Sequence, residues 1–124
     1  MIGRVNSTIL PRAALSVILL GLTGCAAYQN ATPEETTFPL TGTTLNVKAH
    51  DVPTDLIPVD RKDVKVIRRF DVKSGNREAS WELKDGVLDL VAQCTGFGNC
   101  DARYEVQVPR GVKVLRDGKP TDLK

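Results

Sequence analysis

From Thr43 onward, apolar and polar residues alternate with a period of two. Leu45, Val47 and Ala49 interleave with Thr44, Asn46 and Lys48, and Val64, Val66, Phe70 and Val72 share one parity. Ala79, Trp81 and Leu83 form a third run, Leu88, Leu90 and Ala92 a fourth, and Ala102, Tyr104, Val106 and Val108 a fifth. Each run covers about 5–8 residues with one apolar and one polar side, which predicts half-buried antiparallel strands. VKVL at 112–115 predicts another short strand, and DVPTDLIPVDRKD, with its two prolines, a turn and a short strand. No segment after residue 24 has helical spacing. The expected class is therefore all-β: a small antiparallel β-sandwich or β-sheet domain over residues 43–124.

Turn chemistry punctuates these runs. Asp85-Gly86 between two alternating segments is the strongest short-range hairpin signal. Ser74-Gly75-Asn76 predicts a second turn, and Pro109 closes the Tyr104 strand because proline cannot donate to the ladder. Arg68 breaks the pattern. It shares the parity of Val66 and Phe70, where an unpaired guanidinium would be costly. A β-bulge near Ile67, an edge position that lets Arg68 snorkel, or a salt bridge to a neighbouring carboxylate would each accommodate it; the bulge or edge is favoured.

The N-terminal residues follow other rules. Arg4 and Arg12 precede the apolar run from Ala13 to Leu22, and no acidic residue occurs before Glu34. That run of about 10 residues is too short to cross a ~30 Å hydrocarbon core, and its flanks read as a secretory signal. It ends in Leu22-Thr23-Gly24-Cys25, an order that resembles the lipobox of bacterial lipoproteins. The resemblance implies a signal peptide over 1–24, a diacylglycerol on the Cys25 thiol, and cleavage that makes Cys25 the N-terminus. At about 0.8 kcal/mol per buried CH₂, two acyl chains would hold the domain at the extracytoplasmic face of the cell membrane. A plain signal peptide with an incidental cysteine is the alternative. Residues 26–42, AAYQNATPEETTFPLTG, read as a flexible tether reaching up to ~55 Å. Alternatively, Phe38 and Leu40 already belong to a first strand.

Three cysteines leave one odd thiol in an exported chain. With Cys25 acylated, Cys94 and Cys100 remain on either side of TGFGN, near enough to pair, and an oxidising compartment would preserve the bridge. It is expected to staple the mouth of a hairpin whose loop is Thr95 to Asn99. Loss of the signal removes Arg4 and Arg12, which brings the remaining Lys and Arg level with the 15 acidic residues. The formal charge of +2 and the pI of 8.5 thus belong to the precursor, and nothing in the balance points to nucleic acid.

The WELKDGVLDL hairpin, the CTGFGNC loop and the phrase YEVQVPRGVKV resemble the DUF4097-type adhesin domains, relatives of which occur in lipoproteins of actinobacteria. The resemblance covers about residues 43–116 and implies a β domain with no catalytic residues to carry over. In that family the VPRGVKV phrase leads into a longer repetitive β region. Here RDGKPTDLK follows, so the expectation is the front module without the repeats.

Candidate chemistry is sparse. His50, the one histidine, adjoins Asp51, but neighbours on a strand point to opposite faces. It is expected as an exposed turn residue rather than half of a catalytic dyad. No residue is assigned as catalytic, and no cofactor or metal is expected, because one histidine and a bridged cysteine pair supply no metal spacing. Gly96-Phe97-Gly98 is followed by neither lysine nor helix and is no phosphate cradle. Phe97 either anchors a partner from the tip of the stapled loop or folds back onto the sheet edge. Trp81 is expected in the core. Arg68 and Arg69 sit among Arg61, Lys62, Lys65 and Lys73, a basic group that could meet an anionic envelope polymer or lipid headgroups. The alternative is a solvated face balanced by Asp60, Asp63 and Asp71. The expected function is that of a lipid-anchored extracytoplasmic lipoprotein with a non-catalytic domain. Its role would be binding or structural, and its partners the membrane, through Cys25, and an envelope protein or polymer. A surface enzyme, or an enzyme inhibitor acting through loop 94–100, is the rival.

Overall fold

The alternating runs do form strands. The computed structural model describes residues 31–121, and every regular element in that range is β. The signal segment 1–24 and Cys25 lie outside the described residues. The strands are β1 (Glu34–Pro39), β2 (Thr44–Lys48), β3 (Thr54–Val59), β4 (Asp63–Lys84), β5 (Val87–Pro109), β6 (Lys113–Arg116) and β7 (Lys119–Pro120). They form one seven-stranded sheet in the order β1-β4-β5-β2-β6-β7, with β3 on β5 beside this path.

Pairing in this sheet is mixed. β1 with β4, β4 with β5, and β6 with β7 are antiparallel. β2 runs parallel to both β5 and β6, and β3 runs parallel to β5. Alternation fixes the face a side chain takes but not the direction of the neighbouring strand. Among the strands expected from sequence, the antiparallel setting therefore holds for β4 with β5 but not for β2, β3 and β6, which join by parallel pairing.

One long hairpin organises the rest. β4 has 22 residues and β5 has 23, joined at Asp85-Gly86 with φ of 52° and 76°. Two positive φ values are what a type I′ turn requires. Laid straight, such a hairpin would reach ~70 Å, against a radius of gyration of ~12 Å for a compact chain of this size. It doubles back instead. The two register shifts in its ladder, between Val72 and Ser74 and between Ser74 and Asn76, mark the bend. Ser74-Gly75-Asn76 is thus not a turn between two strands: pairing continues through it, and a bulge there reorients both strands.

Doubling back places the two arms of the hairpin face to face around the core. Val64, Val66, Tyr104, Val106 and Val108 come from the arm nearer the chain ends, and Leu88 and Leu90 from the arm nearer the turn. Leu45, Val47, Leu56 and Val114 complete the core from β2, β3 and β6. β2 and β3 fill the second edge of β5 at its two ends, pairing with Val87–Asp89 and Tyr104–Pro109 respectively.

β1 falls inside the stretch expected as a tether. It pairs with β4 from Glu34↔Arg68 to Pro39↔Asp63, and Phe38 packs on the core margin. Only residues 26–33 separate Cys25 from the sheet, a reach of at most ~30 Å rather than ~55 Å.

Candidate functional site

The bend gathers charges that are distant in sequence. Arg68 is 6% exposed, on the same face as Val64, Val66 and Phe70. There is no bulge at Ile67, since the ladder with β5 runs unbroken from Lys65 to Val72, and β4 is no edge strand because β1 covers it. The salt bridge is the arrangement found. Arg68 Nε donates to Glu34 Oε1 at 3.0 Å, Nη1 donates to the Tyr104 hydroxyl at 3.5 Å, and the guanidinium lies 3.9 Å from the Trp81 ring centroid. Arg77, from the opposing arm, donates to the same Glu34 oxygen and lies over Phe70, 5.2 Å from its centroid. The Tyr104 hydroxyl donates to the Val91 carbonyl at 2.7 Å, with the Ser80 carbonyl at 3.3 Å.

The electrostatics follow from this packing. Hydrogen bonding from Arg68, aided by Arg77, holds the Glu34 carboxyl below its ordinary range despite partial desolvation. Burial pulls Arg68 down, but hydrogen bonds to Glu34 and Tyr104 outweigh it and the net shift is upward. Burial pushes the Tyr104 hydroxyl up. Arg68 is a buried, paired charge that ties β1 and both hairpin arms together. It is buried, and its donors are turned to Glu34 and Tyr104.

The bulge is held by the disulfide between Cys94 and Cys100, whose Cα atoms are 6.1 Å apart. Six residues of extended strand would span ~20 Å, so the segment between them leaves the ladder. On β4, Gly75 alone lies between the paired residues Ser74 and Asn76; on β5, Gly96, Phe97 and Gly98 lie between Thr95 and Asn99. The bridge therefore staples a bulge inside one strand rather than the mouth of a hairpin. Phe97 sits in this bulge, and its side chain lies outside the described residues. Replacing both cysteines with serine should cost about 2.4 kcal/mol through loop entropy. Urea unfolding of the oxidised chain and the double variant measures it, and equal midpoints would refute a stabilising role.

On the outer face the picture differs. Arg69 stands directly opposite Arg103 across the β4–β5 ladder, and with Asp55, Ile67 and Glu105 they line a cavity of about 170 Å³. Arg103 donates twice to Asp55, Nε to Oδ2 at 2.9 Å and Nη2 to Oδ1 at 2.7 Å, which holds the Asp55 carboxyl low. Glu105 accepts from Gln107 Nε2 at 2.9 Å. Arg69 has no ion-pair or hydrogen-bond partner among the described residues. Three of its basic neighbours are paired: Arg61 with Asp63, Lys65 with Glu35, and Lys73 with Asp71. The balanced-face reading accounts for Arg61 and Lys73, whereas Lys65 takes its partner from β1 and Asp60 pairs with Arg110.

His50 is exposed in the turn between β2 and β3, and its Nε2 meets Asp89 Oδ1 at 2.8 Å rather than Asp51. A cavity of about 280 Å³ beside it is lined by Asp51, Val52, Ala92, Cys100 and Asp101. The Cys100 sulfur there is bound to Cys94. Among the described residues, no group of three or more His, Cys, Asp or Glu is placed to hold a metal ion.

No protein family, curated protein or solved structure matches this chain. The likeness to DUF4097-type domains thus rests on WELKDGVLDL, CTGFGNC and YEVQVPRGVKV alone. Sequence reasoning passed over Glu34, Tyr104 and Arg103. One signal was present: a salt bridge to a carboxylate was among the three arrangements that the core parity of Arg68 allows, though not the favoured one, and Glu34 lies in a stretch that reads as tether.

Proposed function

We propose that this chain is a lipid-anchored extracytoplasmic lipoprotein whose β domain has a non-catalytic binding or structural role at the cell envelope. The observation that carries the reading is the Cys94–Cys100 disulfide. It commits two of the three cysteines to a bond typical of oxidising compartments and leaves Cys25, in the order LTGC, for the lipid. The start of β1 at Glu34 fits the same picture, because a reach of at most ~30 Å would keep the domain close to the headgroups. The outer cleft at Arg69 is the surface that such a domain offers to a partner.

The test is metabolic labelling of the full chain with an alkynyl fatty acid in a bacterium that processes lipoproteins. The wild type should carry label and fractionate with membranes, whereas Cys25→Ser should be unlabelled and accumulate as the unprocessed precursor. An unlabelled wild type, or label retained by Cys25→Ser, would remove the anchor from this account.

A further inference from the structure

We propose that the open edge of β4 over residues 78–84 pairs with the same edge of a second copy of this chain, as an antiparallel two-fold dimer centred on Trp81. β1 covers β4 only over residues 63–68, and over 77–84 the side of β4 away from β5 meets no strand among the described residues. Lys84 and Val87 flank the two-residue turn and so exchange both of their ladder hydrogen bonds. By alternation Ser80 and Glu82 also turn their backbone groups to β5, whereas Ala79, Trp81 and Leu83 turn theirs to the open edge. Such a row of unpaired N–H and C=O groups is a template for another strand. Trp81 and Leu83 are only half-buried against the core, so an added strand would also cover apolar surface.

Charged side chains usually keep an edge from pairing, and here they select one register. The open-edge residues of both copies must face each other, so odd positions stand opposite odd. With the two-fold axis at Trp81, Lys84 stands opposite Glu78, Ser80 opposite Glu82 and Ala79 opposite Leu83, each twice, and the two indoles face each other. Opposite-charge and aromatic cross-strand pairs of this kind favour a ladder. An axis at Ser80 sets Glu78 against Glu82, and one at Glu82 sets that residue against its own copy. An axis at Ala79 runs into the bulge at Gly75, and one at Leu83 into the Asp85-Gly86 turn. A two-fold contact must be self-complementary, and the Trp81 register meets that demand over the whole 78–84 stretch without opposing like charges.

This inference goes beyond the binding role proposed above and depends neither on the lipid at Cys25 nor on the cleft at Arg69. A single strand pair is small beside a standard interface, so association should depend on concentration. Sedimentation equilibrium of the full chain in density-matched neutral detergent should show monomer and dimer in exchange. Amide hydrogen exchange should slow at Ala79, Trp81 and Leu83 as dimer forms, while Ser80 and Glu82, already bonded to β5, change little. Glu78→Lys and Lys84→Glu, each at an exposed position, should separately weaken the dimer at least about tenfold. The double variant, and an equimolar mixture of the two single variants, should restore it. A wild type that stays monomeric up to about 1 mM, a dimer indifferent to these charge reversals, or protection that appears on other strands instead would overturn the proposal. Failure of fatty-acid labelling leaves these readouts untouched, so the anchor and the dimer stand or fall separately.

Discussion

Gly75→Ala is expected to destabilise the domain by about 3 kcal/mol or more, a large fraction of the stability of a small domain. Gly75 has a φ of +88°, and a Cβ built there would lie 2.5 Å from Gly98 Cα and 2.6 Å from the Thr95 carbonyl oxygen. Both obstacles are backbone atoms of the opposing bulge, which the Cys94–Cys100 bridge holds in place, so neither can swing aside. Gly98→Ala should behave alike, because its Cβ would overlap Cys94 Cβ and crowd the Ser74 carbonyl. Gly96→Ala is the internal control. It shares a positive φ of +79° but has no atom within 4 Å of the added carbon. Only the conformational cost applies, about 1–2 kcal/mol. Urea unfolding followed by the single tryptophan reads the difference, since Trp81 packs beneath Arg68 across the bend. Equal midpoints for Gly75→Ala and Gly96→Ala would mean that the two strands do not approach as described.

The same bulge shows where the sequence was legible and where it was not. The apolar parities at Val64, Val66, Leu88, Leu90, Tyr104, Val106 and Val108 all face the core, because burial on one side of a strand leaves a local trace. Asp85-Gly86 was readable for a similar reason: two adjacent residues with positive φ need a particular local chemistry. Ser74-Gly75-Asn76 carried the same chemistry with a different outcome. A glycine between polar residues marks a change of direction, but whether pairing ends or continues depends on a partner 20 or so residues later. The parallel placement of β2 and β3 is likewise a property of strands that meet only after the hairpin has folded. Arg69 was picked out as one of several basic residues, yet its special position comes from Arg103 across the ladder, which no local pattern reveals.

Loss of Arg68 is the other large effect expected. Arg68→Ala removes the buried guanidinium, its packing over Trp81 and a donor to Glu34 and Tyr104 together. It should cost about 3 kcal/mol, in the range for breaking a buried ion pair. Glu34→Gln should cost less, about 1 kcal/mol, because the Glu34 side chain is 37% exposed and solvent screens its share. Its effect on pH dependence is the sharper signature. Glu34 titrates lower in the folded chain than its ordinary 4.5. An ionised Glu34 therefore adds stability that is fully present above about pH 4.5 and is lost as pH falls through the lower folded value. Wild-type stability should fall on acidification in that window, and Glu34→Gln should show a shallower fall. Asp55, depressed by Arg103, contributes a slope of the same sign in both proteins, so the difference between their curves isolates Glu34. Arg68→Met separates charge from packing. A flexible apolar side chain against Trp81 should recover part of the loss seen with alanine, and should also flatten the acid limb, because Glu34 then keeps only Arg77. Parallel acid limbs for wild type, Glu34→Gln and Arg68→Met would show that the clamp across the bend is packing alone, with no electrostatic contribution from the first strand.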